Sequence, residues 1–173
     1  MIIFLDIDGV LNGGKSGFSS ISEYVEAKKR FNDEFGISFL LPDVNVLPFI
    51  YTINEYLRIN GEDSIRAVLS STWRYNENNV GLLNNMLYKK GLNCKEFIID
   101  ITDFINDCST RKDRGNQIKR WVVKHKPNGF VILDDEFSTM LHYGRLYKTE
   151  TFLGFTDKDS NRFLKHMLRW RVI

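Results

Sequence analysis

Residues 2–12 read IIFLDIDGVLN, and the fold turns on how this stretch divides. Ile2 to Leu5 form an unbroken β-branched and aromatic run ending on a turn signal, which suits a short strand buried on both faces of a sheet. Asp6 and Asp8 fall at its C-terminal end. Strand side chains alternate, so residues two apart point the same way and the two carboxylates are forced into one small volume. A divalent cation offsets their repulsion, and Gly9 lets the backbone turn sharply away, leaving the pair open to a ligand. In open α/β sheets, ligands bind at that location. Taken alone, Asp6–Gly9 fits an acidic turn after an edge strand about as well, so the other strand ends must decide.

Three further apolar runs read as buried strands: Ile65–Leu69, Glu96–Ile101 and Phe130–Leu133, with a short extended piece at Arg145–Thr149. Between them lie amphipathic helices. Val46, Ile50, Ile53 and Leu57 recur at helical spacing, with Asn45 as expected N-cap, Pro48 in the first turn and Asn60–Gly61 as the stop. Val80, Leu83 and Leu87 mark a second helix, ended by Gly91. Ile118, Trp121, Val122 and His125 mark a third, with Asp113 as its expected N-cap. Phe163, Leu164, Met167 and Leu168 mark the last, capped by Thr156 or Asp157. His125 reads as a structural histidine, because nothing nearby supplies metal-ligand spacing.

Strands alternating with helices predict an α/β fold, a mostly parallel sheet with helices on both faces. The whole chain, 1–173, reads as one domain with a minimal cap: the glycine- and serine-rich GGKSGFSS and the weakly helical stretch after it make residues 13–40 a small insertion over the strand ends. Lys15, Phe18 and Tyr24 are its candidate contact residues.

With 24 Lys and Arg against 22 Asp and Glu, the net charge is +2, too small to imply nucleic-acid binding and compatible with small anionic substrates or polynucleotides. Cys94 and Cys108 have neither CxxC spacing nor a histidine cluster, which points to ordinary thiols. The first strand starts at residue 2 with no leader before it, and no apolar run approaches membrane-spanning length, so the chain reads as cytoplasmic.

Parallel strands end on one side of their sheet. Asp6, Asp8, Ser70, Lys112 and the Asp134–Asp135 pair therefore converge on one crevice, although they are far apart in sequence. Ser70, Ser71, Thr72 and Arg74 follow the second strand as groups able to hold an oxyanion, or as a serine-rich turn capping a helix. Phosphoryl transfer needs these groups together. Asp6 attacks phosphorus as a carboxylate nucleophile, and Asp8 protonates the leaving oxygen and then deprotonates water. Mg²⁺ suits an all-oxygen site built from Asp6, the backbone carbonyl of Asp8 and the Asp134–Asp135 pair. Ser70 holds a phosphate oxygen, and Lys112 neutralises charge beside the positive end of the third helix.

On DIDGV at 6–10, Ser70 in VLSSTWR, a basic residue before the fourth strand and VILDD at 131–135, the chain resembles the haloacid dehalogenase (HAD) superfamily of aspartate-nucleophile phosphohydrolases. SSTWR, RGNQIKRW, VILDD and LGFT together are similar to the small phosphatase-like HAD domains found alone or fused to RNA-repair enzymes. The resemblance implies a Rossmann-like core, Mg²⁺-dependent phosphatase activity and the roles given above. Arg114, directly before Gly115, fits the family's lysine position as well as Lys112 does.

A minimal cap leaves the site open, which suits a phosphate at the end of a large substrate. The expected substrate is a nucleotide, a nucleic-acid end or a small phosphoester. KRWVVKHK at 119–126 and KHMLRWRVI at 165–173 interleave basic and aromatic residues in the manner of nucleic-acid contacts, although Trp121 also lies on the core stripe. Two other readings stay open: a non-catalytic module binding phosphate or nucleic acid, and a phosphotransferase using an acceptor other than water.

Overall fold

The computed structural model describes residues 1–13, 20–76, 78–103, 114–136 and 144–171. Its strands are β1 (Ile2–Leu5), β2 (Arg66–Leu69), β3 (Ile98–Ile101), β4 (Phe130–Asp134) and β5 (Leu146–Lys148). They form one sheet in the order β3-β2-β1-β4-β5, and every adjacent pair is parallel. β1 lies at the centre, with Leu5 in register with Leu69 on one side and Leu133 on the other. The chain therefore leaves three neighbouring strands at one level. This brings Asp6, Ser70 and Asp134 side by side.

The helices are α1 (Ile21–Phe35), α2 (Asp43–Asn60), α3 (Asn78–Lys89), α4 (Arg114–His125) and α5 (Asp157–Arg169). Strand alternation sorts the core into two layers. Ile3, Leu5, Ala67, Leu69, Val131 and Leu133 meet α2, α3 and α5 through residues such as Phe49, Leu83 and Phe163. Phe4, Val68 and Ile132 point the other way and meet Ile118 and Trp121 of α4. The mostly parallel α/β sheet with helices on both faces is thus the observed architecture. No described helix is long and apolar enough to cross a membrane.

Two local expectations change, and one alternative is resolved. The insertion contains the regular helix α1, started by Ser20, whose Oγ accepts from the Glu23 N–H at 3.2 Å, and ended by Gly36 at φ 70°. Its periodicity is weak in sequence because only Phe31 and Phe35 are buried. Asn45 is not the cap of α2, which begins after Pro42, so Pro48 falls beyond the first turn. Fully buried, the Asn45 amide instead donates to the carbonyls of Leu153 (2.6 Å) and Phe155 (3.0 Å) and accepts from the Gly13 N–H (3.1 Å). It ties the segment after β1 to the segment after β5. At α5, Thr156 is the cap, and its N–H and hydroxyl both donate to the Asp159 carboxylate. Asp113, Lys15, Phe18 and Cys108 lie outside the described residues.

Candidate active site

Asp6, Asp134 and Asp135 are all buried at the C-terminal edge of the sheet, and each offers a carboxylate oxygen within 4.8 Å of the others'. Arg114, at the start of α4, reaches into this cluster: one guanidinium nitrogen lies 2.6 Å from Asp134 Oδ2 and 3.0 Å from Asp6 Oδ2. Asp134 Oδ1 accepts from the Glu136 N–H at 2.8 Å. Asp6 Oδ1 is buried and has no hydrogen-bond partner among the described residues.

Burial pushes the Asp6 carboxyl up to about 7 against the pull of Arg114; Asp134 adds to the rise, while the Ile7 backbone and the Ser71 hydroxyl hold it down. Burial likewise raises Asp134, opposed by the same arginine. Burial works against charge on Arg114 too, but Asp6 and Asp134 more than offset it and keep its pKa above the ordinary value. Among the described residues, Arg114 is the cation at these three buried acids, and it pairs with Asp6 and Asp134. A divalent cation fits such a site: the donors are hard oxygens, they already converge, and one of them lacks a partner.

Gly9 serves this cluster by having no side chain. A Cβ there would stand 2.2 Å from Asp135 Oδ2, and the residue's φ of 72° disfavours other residues as well. The Gly9 carbonyl accepts from the Thr149 hydroxyl at 2.9 Å, so the residue directly after β5 holds the turn from behind. Asp8 is exposed, and its carboxylate lies outside the three-acid cluster. Its Oδ1 accepts from Asn12 Nδ2 (2.8 Å) and from the indole N–H of Trp73 (3.2 Å). Both Asp6 and Asp8 line a cavity of about 320 Å³, together with Thr72, Arg114, Glu136 and Thr151.

After β2, Ser70 is fully buried and its Oγ has no hydrogen-bond partner among the described residues. Ser71 begins a 3-10 turn, Thr72–Tyr75, by accepting the Trp73 N–H. Arg74 is turned inward, donating to the carbonyls of Ser70 (2.6 Å) and Ser71 (2.9 Å) and to Gln117 Oε1 (3.0 Å). That geometry braces the strand end and links it to α4; the sequence left open whether Arg74 binds substrate or braces the sheet end. Lys112 lies outside the described residues, so the cation seen at the acids is Arg114. Trp73, Thr149, Glu136 and Thr151 escape the sequence reading. Thr149 alone carried a signal, as the residue that ends the fifth strand.

In the basic and aromatic stretches, the indole rings pack within the fold. Trp121 is buried, donates to Asp100 Oδ2 at 2.6 Å and stacks on His125 at 4.2 Å and 11°. The Arg145 guanidinium lies 4.3 Å from the Phe130 ring centroid and 4.4 Å from that of Trp170.

A central parallel strand ending in Asp-x-Asp-Gly, a serine after its neighbour and an acidic pair after the strand on its other side define a HAD-like domain of α/β, Rossmann-like type. The chain belongs to the family of HAD domains in Swiss Army Knife RNA repair proteins, whose model matches residues 2–160. No curated protein and no solved structure matches it.

Proposed function

We propose that this chain is a Mg²⁺-dependent phosphomonoesterase working through an aspartyl-phosphate. The observation that carries this reading is the buried Asp6 carboxylate, with one oxygen on Arg114, the other without a partner, and an open cavity beside it. Asp6, Asp134 and Asp135, with the backbone carbonyl of Asp8, would hold the cation. When bound, Mg²⁺ supplies charge that keeps Asp6 ionised and a Lewis acid for a phosphate oxygen.

The Asp6 carboxylate attacks phosphorus as the phosphoester P–O bond breaks, and Asp8 gives its proton to the leaving oxygen. Asp8 then takes a proton from water, whose oxygen attacks the acyl-phosphate phosphorus; inorganic phosphate leaves and Asp6 is restored. Trp73 and Asn12 keep the Asp8 carboxylate at the cavity rather than in the metal cluster, which separates the proton carrier from the nucleophile. Ser70 Oγ is free to bond a phosphate oxygen, with Ser71 and Thr72 beside it. Arg114 takes the charge-neutralising place for which Lys112 was the other candidate, and Arg74 positions the serine turn. Membership of a family named for RNA repair proteins supports a nucleotide or a nucleic-acid terminal phosphate as substrate.

Phosphate release with Mg²⁺ from sugar phosphates, mononucleotides and 3′- or 5′-phosphorylated oligonucleotides tests this directly. Turnover should fall by about 10³-fold or more in Asp6→Asn and cease on chelation. Asp6→Asn activity near wild type would overturn the assignment of the nucleophile.

A further inference from the structure

A second cavity, of about 420 Å³, adjoins the catalytic one, and Asp8 and Thr72 line both. One wall comes from the insertion, the Gly36–Phe39 segment that follows α1; the other comes from the 3-10 turn and the start of α3. Phe39, Trp73 and Tyr75 contribute three aromatic rings. Phe39 is 55% exposed and Tyr75 61% exposed, while Trp73 is buried and lies under Phe39 with ring centroids 5.3 Å apart. Isolated exposed aromatics need no explanation, but two of them lining one groove that opens onto a reaction centre do.

We infer that this groove is a subsite for the nucleobase of the phosphoester, stacking it on Phe39 and Tyr75 while its phosphate lies in the Asp6 cavity. The inference rests on the phosphomonoesterase reading only for where the phosphate sits. Four features select this occupant. The groove shares Asp8 and Thr72 with the phosphate cavity, so a group joined to a phosphate held there can reach it. Flat π-faces receive a base whatever its sequence. Asn76 and Asn79 each commit one end of the amide to the backbone, Asn76 Oδ1 to the Asn78 N–H and Asn79 Nδ2 to the Trp73 carbonyl, and the other end is a group able to bond a base edge. Lys28, with its Nζ 5.7 Å from the Phe39 ring centroid, adds positive charge where an adjoining phosphate of a longer chain would pass. A phosphorylated pentose without a base fills the first cavity and leaves the second unused.

Trp73 couples the two cavities: its ring forms the floor of the groove and its N–H bonds to Asp8. A base seated there would bear on the side chain that holds the proton carrier.

Binding, read by quenching of tryptophan fluorescence on the non-hydrolysing Asp6→Asn protein with Mg²⁺, tests the inference. The ligands are a nucleoside 5′- and 3′-monophosphate, a short oligonucleotide with either phosphorylated end, and ribose 5-phosphate. A nucleotide end should bind about tenfold or more tightly than ribose 5-phosphate, and Phe39→Ala and Tyr75→Ala should bring that ratio down about tenfold. Phe39→Tyr, which keeps a ring, should retain it. Both side chains are exposed, and an unchanged thermal midpoint verifies that the variants fold. Equal affinity for ribose phosphate and nucleotides, or a preference that both alanine variants retain, overturns the subsite. Either mononucleotide or oligonucleotide preference supports it, and which binds more tightly identifies the source of the base. Because turnover is not the readout, absence of hydrolysis by the wild-type protein would defeat the phosphatase reading without deciding this one.

Discussion

Two parts of this molecule gather charged and aromatic residues, and they spend them in opposite ways. At the C-terminal edge of the sheet, Asp6, Asp134 and Asp135 are buried around one arginine, and Asp6 Oδ1 and Ser70 Oγ have no hydrogen-bond partner. Around α4 and the end of α5, cations and rings mostly satisfy one another: His125 lies on Trp121, whose N–H bonds to Asp100, and Arg145 lies between Phe130 and Trp170, although the buried Trp170 Nε1 has no hydrogen-bond partner among the described residues. The first arrangement costs stability and leaves groups ready for a ligand; the second contributes packing and leaves little to offer. Composition alone ranks the basic-aromatic stretches as the more suggestive of a partner. Unsatisfied buried polarity is the better guide, because it persists only where something else repays it.

The largest expected effect comes from taking away the shared cation. Arg114→Ala leaves two buried carboxylates without it and should lower stability by about 3 kcal/mol near pH 8. That loss should shrink as the pH falls below 7: acids whose folded pKa is raised bind protons more readily in the native state, so stability rises toward acid pH. Chemical denaturation at both pH values measures it, and Mg²⁺ should restore more stability to the variant than to wild type. An equal loss at both pH values would mean that Arg114 is packing, like Arg145.

Ser70→Ala separates function from stability within the same edge. Removing a buried hydroxyl that has no partner should leave stability within about 1 kcal/mol, while losing a donor to phosphate should reduce kcat/KM roughly ten- to hundredfold. A large stability loss with unchanged kinetics would move Ser70 to the structural side of the comparison. The smallest effect belongs to the other region. Lys119→Ala combined with Lys124→Ala, both exposed on α4, should change affinity for a phosphorylated oligonucleotide by less than about twofold at 0.15 M salt. A larger change would give that helix the nucleic-acid role that its packing argues against.

Much of this was legible because it is local. A run such as Ile2–Leu5 with carboxylates directly after it marks a strand end, and parallel strands carry their ends to one edge, so Asp6, Ser70 and the Asp134–Asp135 pair could be brought together on paper. Other assignments failed or stayed open where a side chain had local and distant partners to choose between. Asn45 sits where a cap belongs yet bonds to Gly13, Leu153 and Phe155, and Arg74 sits where a phosphate ligand belongs yet bonds to two carbonyls and Gln117.

By itself, then, the sequence determined the strand-and-helix alternation, the parallel sheet and the acidic edge, since periodicity and strand direction are properties of short segments. Only the tertiary structure decided that Arg114 meets Asp6 and Asp134, that Gly9 makes room for Asp135, that Trp73 holds Asp8, and that Phe39 and Tyr75 share a groove with Asp8. Those are contacts between residues distant in the chain. Their energies depend on burial and on competing partners that exist only once the chain has closed on itself.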